Sequence, residues 1–448
     1  MQKQKLKIGV AETVITPLQK DVFLVGPIKF GEGIHDDLFC RVLWIDDDCR
    51  PVVIVTLDLV GLDFKLAEEI GAEIEKRTGI GRERIMLNCS HTHNAPVTVP
   101  WYTAAFKSFE EGMKKWRVEL IKKIVNTVRS AHANIQEAKL FYGREPVQIG
   151  FNRRLPTKDG IVMKPNPRGV VVPWVDVLRA DSLDNKPIAV LFSHAAHPVI
   201  VHGASAMISA DYPGFAVKTV RHNIGKNAVV MFAQGCGANI NGEPLRGGFA
   251  EAEKAGKKLG TAAVAGFKKS RPISGCGLRA YTLELQLPFQ KYPRPAACKK
   301  AIKTWEAEYE AQKGKNWYLR NIILALRELL KMARKGGKKC LKFKIQAFAF
   351  GDKFCVVGLT HEIFAEYQLW VNKISPFKYN MIFGYTNGCE SYIPCKKDFT
   401  LGGYEAGSVP FPCAPLAYRN RLTLKPQVEK QIKSRLKKVF QRLMKREI

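Results

Sequence analysis

Apolar and polar positions along the chain fall into two periods that take turns. The runs "KLKIGVAETV" (5–14), "LFCRVLWIDD" (38–47), "PVVIVTLDLV" (51–60) and "RIMLNC" (84–89) are rich in β-branched residues and predict strands. Between the last two, "GLDFKLAEEIGAEIEKRTGIG" repeats its apolar positions at helical spacing through Leu66, Ile70 and Ile74 and stops at glycine. A helix is expected over about 106–133, a strand near 137–143, and an irregular surface loop over 152–175, where Pro156, Pro165, Pro167 and Pro173 cluster. Strand, helix and strand in that order predict an α/β fold, a mixed multi-stranded sheet core with helices packed around it.

The same alternation returns downstream. "KPIAVLFSHAAHPVIV" reads as a buried strand running into a loop, "YPGFAVKTVRHNI" as a helix and "NAVVMFAQG" as another buried strand. A helix after residue 245 and an alternating strand over 278–289 follow, then a basic helical segment within 294–340. Strands at 341–349 and 354–359 precede a helix expected to begin near Glu362, and 384–424 is rich in loops. The reading is one catalytic-type unit over 1–424 and a basic amphipathic helix over 425–448. Val428, Ile432, Leu436, Val439 and Leu443 line one face of that helix. Such a stripe docks on its own domain or rests on a membrane surface, and docking is the commoner use.

Composition alters this picture at one point. The chain has 448 residues, and 71 Lys+Arg against 41 Asp+Glu give a net charge of +30, concentrated near 313–339 and at the C-terminus. This excess suits an anionic membrane, an acidic substrate or nucleic acid. The basic stretches carry no recognised nucleic-acid motif, which disfavours the last. No 18-residue apolar run suggests a membrane span. The first residues read as a strand and not as an apolar leader, and the 11 cysteines are scattered without a CxxC pair; both features point to the cytoplasm.

The chemistry gathers on histidine. Of nine in the chain, five fall in two short stretches, His91 with His93 and then His194, His197 and His202, each stretch just after an apolar strand. Binding sites in α/β folds collect beyond the carboxyl ends of strands, so both clusters are expected to face one crevice, a metal site in loops at strand ends. Glu362, after another apolar strand, is the carboxylate that would complete the ligands.

The segments "SHTHNAP" (90–96), "FNRRLPTKDG" (151–160), "HPVIV…ISADYPG" (197–214), "GLTHEIFAEY" (358–367) and "NGCESYIPCKKDFTLGGYEAGS" (387–408) occur in this order. Together they resemble the neutral/alkaline ceramidase family, zinc amidohydrolases that split ceramide into fatty acid and sphingoid base. The resemblance implies Zn2+ held by His91, His197, Glu362 and Tyr392. It implies His93 as a proton donor or relay beside the metal, and Arg153 and Tyr404 on the substrate carbonyl or oxyanion. Asp211 would be structural, while His194 and His202 match no catalytic position. The resemblance departs at "QGCGANING" (234–242), where ceramidases carry a "GDVSPN"-like hexapeptide: Asn239 stands near the usual aspartate, Asn241 near the serine, and Gly242 replaces the proline. A serine-dependent step is not available there. Cys236 nearby is expected to be a buried, inert thiol.

The expected activity is metal-activated hydrolysis of an N-acyl bond in ceramide or another lipid amide, with peripheral contact to an anionic membrane. The alternatives are hydrolysis of a non-lipid amide or ester, and a catalytically degenerate basic binding protein on the same scaffold.

Overall fold

The computed structural model describes residues 6–17, 22–25, 29–48, 50–98, 110–273, 277–407 and 422–445. Two sheets lie face to face. The larger runs in the order Val229–Gln234, Pro187–His194, Trp174–Ser182, Gln136–Pro146, Lys7–Val14, Phe39–Asp46, Val52–Leu57 and Ile85–Cys89, with Arg271–Ile273 added beside Gln136–Pro146. The smaller consists of Leu278–Pro288, Cys340–Phe350, Phe354–Leu359 and Tyr379–Phe383. Their facing side chains form one apolar layer, with Ile8, Leu43, Ile54, Met86, Leu178 and Met231 against Phe348, Phe350, Phe354, Val356 and Phe383.

Helices cover the outer faces. Phe64–Thr78 and Glu110–Ala133 pack on one half of the large sheet through Leu66, Ile70, Leu120, Ile124 and Val128. Asp211–Ile224 and Phe249–Lys269 cover the other half through Tyr212, Ala216, Val220, Leu259 and Ala263. These two helices approach closely because Gly256 has no side chain; a Cβ there would stand 2.7 Å from the Tyr212 carbonyl oxygen. Trp317–Lys335 and the C-terminal helix Val428–Met444 pack in the core of the small sheet. Val428, Ile432, Leu436, Val439 and Leu443 are all buried there, so the stripe that might have faced a membrane is spent on the protein's own core. Among the described residues, no helix is long and apolar enough to cross a membrane.

Within the two large sheets most strand neighbours are antiparallel, but three pairs are parallel: Val52–Leu57 with Ile85–Cys89, Pro187–His194 with Val229–Gln234, and Phe354–Leu359 with Tyr379–Phe383. A strand of each pair leads directly into a histidine or glutamate of interest: His91, His197 or Glu362. Asn88, fully buried, draws these three ends together. Its Oδ1 accepts the Gln234 N–H at 2.8 Å, and its Nδ2 donates to the carbonyls of Gly384 at 2.8 Å and Gln234 at 3.3 Å.

Two expectations change. The 152–175 stretch is not an irregular surface loop: Arg154–Thr157 pairs with Gly160–Met163 in a small hairpin, and Arg153 and Arg154 before it are buried. Pro156 lies within the hairpin, paired with Ile161, while Pro165 and Pro167 follow it, and buried carboxylates hold both arginines inside. Nor does Glu362 open a helix. It sits in a two-residue parallel bridge with Tyr392, and the helix runs Ala365–Ile374, with Glu366 as its first-turn acid. The loop-rich 384–424 stretch contains the short helix Lys396–Leu401. Of the helix expected over 106–133, residues 106–109 lie outside the described residues.

Asn88→Ala removes the side chain that makes those bonds and leaves the Gln234 backbone amide without its partner. It should lower unfolding stability by about 2 kcal/mol, read as a urea midpoint shift at unchanged slope.

Candidate metal centre

His91 follows its strand by two residues and takes up a left-handed backbone, φ 68°, which turns its ring inward. His91, His93 and His197 each place one ring nitrogen within 4.8 Å of the others. The fully buried Glu362 carboxylate meets two of them: Oε2 lies 3.0 Å from His197 Nε2 and 3.4 Å from His91 Nε2. Tyr392 pairs with Glu362 in backbone register, and its hydroxyl accepts from Arg153 Nη2 at 3.3 Å. The Tyr392 and Tyr404 rings are 5.8 Å apart. The seven residues singled out in the sequence, His91, His93, Arg153, His197, Glu362, Tyr392 and Tyr404, thus form one connected group.

Tautomers decide what this group can hold. The other nitrogens of the two histidines are taken by backbone carbonyls: His91 Nδ1 faces the Val60 oxygen, and His197 Nδ1 faces those of Gly237 at 2.8 Å and Ile240 at 3.2 Å. A carbonyl only accepts, so each Nδ1 carries a proton, and a neutral ring then presents its Nε2 lone pair toward Glu362. Burial, and then Arg153, push His197 down to about 4, so the ring is neutral at pH 7. Burial raises the Glu362 carboxyl, yet the neighbouring imidazoles of His91 and His197 override it and hold it well below the usual carboxylate range. That lowering comes from positive charge and N–H donation on the facing rings; where the rings are neutral, a cation held among the same donors would supply the charge instead. The donor set fits a metal cation.

A second observation agrees. The Tyr385 hydroxyl is buried and has no hydrogen-bond partner among the described residues, while its ring lies 4.3 Å from that of His91. Its backbone is left-handed at φ 50°, a strained choice for tyrosine.

Around the metal donors lies a set of ion pairs. Arg153 donates from Nε to Glu405 at 2.7 Å and from Nη1 to Asn241 Oδ1 at 3.0 Å. Arg154 shares Glu405 at 2.5 Å and also reaches Asp398 at 3.2 Å. Both nitrogens of His93 face other imidazoles: Nε2 lies 3.3 Å from His91 Nε2, and Nδ1 lies 3.2 Å from His202 Nδ1. Burial and the His91 ring lower the His93 pKa well below the usual value.

The sequence pattern of the neutral/alkaline non-lysosomal ceramidase N-terminal region matches residues 6–271, more than half of the chain. The chain belongs to that family. It is 25% identical over 257 residues to a neutral ceramidase of Pseudomonas aeruginosa, covering 52% of this chain and 37% of the relative. It is 24% identical over 228 residues to neutral ceramidase B of Dictyostelium discoideum, covering 47% and 31%. The matched stretch thus spans about a third of each curated relative. In fold, the chain superposes on the crystal structure of the Pseudomonas aeruginosa neutral ceramidase with a TM-score of 0.71, at 17% identity, over 97% of this chain and 74% of that one. A ceramidase complexed with C2 gives 0.73 at 16% identity, over the same shares.

Within the family, the departing 234–242 loop has a structural use here. Asn241 holds Arg153, and Asn239 gives its Oδ1 to the Ala365 N–H at 2.9 Å at the start of the helix after Glu362. Cys236 is buried, and burial pushes its thiol pKa up, as an inert thiol requires. Asp211 accepts the Val201 N–H at 2.9 Å and ties down the loop that carries His197 and His202. His194 donates from Nδ1 to the Trp174 carbonyl at 2.8 Å and stands outside the cluster. Sequence reasoning missed Tyr385, Glu405 and the contact of His202 with His93. Glu405 follows Tyr404 directly, and two adjacent arginines in "NRR" signal a need for a buried acid. Nothing local marks Tyr385.

Glu405→Ala leaves two buried guanidinium groups short of a counter-charge. It should cost about 3–5 kcal/mol, measured by denaturant unfolding, with Glu405→Asp recovering part of the loss.

Proposed function

We propose that the chain hydrolyses the amide bond of an N-acylated lipid, ceramide or a close relative, with a zinc ion held by His91, His197, Glu362 and Tyr392. The observation that carries this reading is the pair of imidazole lone pairs facing the Glu362 carboxylate, in a chain whose named relatives are ceramidases. A zinc ion at these donors supplies Lewis acidity, making water a nucleophile at neutral pH and polarising the acyl carbonyl.

The remaining work falls to the chain's own groups. Neutral His93 takes the proton released by the attacking water and returns one to the departing amine; such transfer is worth about 10²–10⁴-fold. The His202 contact fixes the His93 ring for that transfer. Arg153, held at three nitrogens, keeps a fixed positive charge beside the reacting carbonyl. Tyr404, half-buried against Tyr392, adds a hydroxyl donor to the developing oxyanion. With Asn241 where ceramidases carry serine, the water route needs no covalent acyl intermediate.

The test is release of fatty acid from an N-acyl sphingoid base in mixed micelles by the zinc-loaded protein, beside a small amide and an ester of the same acyl group. Turnover should favour the lipid amide, and His93→Ala should retain zinc while kcat falls about 10²–10⁴-fold. Preference for the ester or the small amide would reassign the substrate. A His93→Ala variant at the wild-type rate, or no hydrolysis of any of the three, would reject the mechanism.

A further inference from the structure

A second cluster of metal-type donors lies apart from the histidines. Glu366, Cys395 and Asp398 each place one donor atom within 4.8 Å of the others, with Cys395 and Asp398 buried and Glu366 partly so. Glu366 comes from the first turn of Ala365–Ile374, while Cys395 caps Lys396–Leu401 and Asp398 lies within it. The two oxygens of Asp398 differ. Oδ1 takes the Arg154 guanidinium at 3.2 Å, whereas Oδ2 is buried with no hydrogen-bond partner among the described residues, on a residue only 5% exposed. Leaving such an atom unpaired is unfavourable, and more so when it is charged.

The neighbouring cations do not fill this gap. Arg154 is committed to Asp398 Oδ1, Glu405 and the Gly402 carbonyl. Lys397 sits 3.2 Å from Glu366 Oε1 on a side chain that is 60% exposed, so it can swing into solvent without breaking any buried contact. Asn239 Nδ2 steadies the other Glu366 oxygen at 2.9 Å.

We propose that Glu366, Cys395 and Asp398 form a second cation site, selective for soft divalent ions of the zinc class, which pins the stretch carrying Tyr392, Tyr404 and Glu405. Thiolate among the donors selects zinc-like ions over magnesium or calcium. As the ion binds, the Cys395 S–H bond breaks, its proton leaves to solvent, and the sulfur lone pair forms the bond to the metal. Burial, followed by the Glu366, Glu429 and Asp398 carboxylates, raises the Cys395 thiol pKa, and burial raises Asp398 to about 6. Both are groups short of positive charge, and a bound dication reverses that shortage. Through Arg154 and Glu405 the site reaches Arg153 at the histidine centre, so its occupancy also stiffens the arginine beside the reacting carbonyl.

The site stands independently of the proposed hydrolase activity, and cadmium distinguishes the two. The histidine centre has no sulfur donor, so the part of a thiolate-to-cadmium charge-transfer band in the ultraviolet that depends on Cys395 reports the second site and not the histidine centre. Cadmium added to the full-length protein should produce a saturable band that survives in the His91→Ala/His197→Ala variant and vanishes in Cys395→Ser. No band in the wild-type protein, or a band that persists in Cys395→Ser, overturns the proposal. Should Cys395→Ser fail to fold, Glu366→Gln decides: its cadmium affinity should fall about tenfold or more, and unchanged affinity overturns the proposal.

Discussion

The Glu362 carboxylate, sealed from water between two imidazoles whose lone pairs it meets at 3.0 Å and 3.4 Å, is the constraint on which the centre depends. Burying an ion costs several kcal/mol unless a counter-charge accompanies it. Arg153 contributes positive charge nearby, while its guanidinium is held by Glu405, Asn241 and Tyr392. The carbonyls on the far side of both histidines hold the Nδ1 protons and leave Nε2 of each ring turned toward Glu362. A cation held among these donors would satisfy the carboxylate and both ring nitrogens at once.

That cavity exists because three parallel strand pairs end at the same place. Parallel pairing aligns carboxyl ends, and Asn88 joins an end from each pair through one buried amide. Strain is concentrated at the same level of the fold. His91, Asp211, His361, Tyr385 and Asn387 all adopt positive φ without being glycine, and each lies in or beside a loop that carries the centre. Strained backbone of this kind persists where the surrounding structure over-determines it, and here the two packed sheets do so. The Arg153–Glu405–Arg154–Asp398 chain adds a layer of buried charge outside the metal donors. Such pairs add little stability over apolar packing, so their use here is orientation: they fix where the Arg153 charge points.

Much of this was legible in the sequence, for physical reasons. Long runs of β-branched residues and the Leu66, Ile70, Ile74 spacing report burial directly, so the strands and the first helix emerged close to their bounds. The histidine pairs stood out because they follow apolar strands, and the structure does bring His91, His93 and His197 together. Position relative to a strand end says less about local backbone. Glu362 was read as opening a helix because glutamate favours a helix N-terminus, but the bridge to Tyr392, thirty residues away, took precedence. The hairpin after Arg153 was hidden by prolines that read as loop. Tyr385 lay beyond reach, since its role depends on a positive φ and on a ring contact with a residue nearly three hundred positions earlier.

The most direct test of the account is the metal content of the purified protein measured by elemental analysis, beside the His91→Ala/His197→Ala variant. The account predicts tightly held zinc in the wild-type protein, with the equivalent bound at the histidine centre missing from the folded variant. Equal metal content in the two proteins after zinc is supplied, or none in either, would mean that the lone pairs facing Glu362 are not there to hold a cation, and the centre would have to be explained without one.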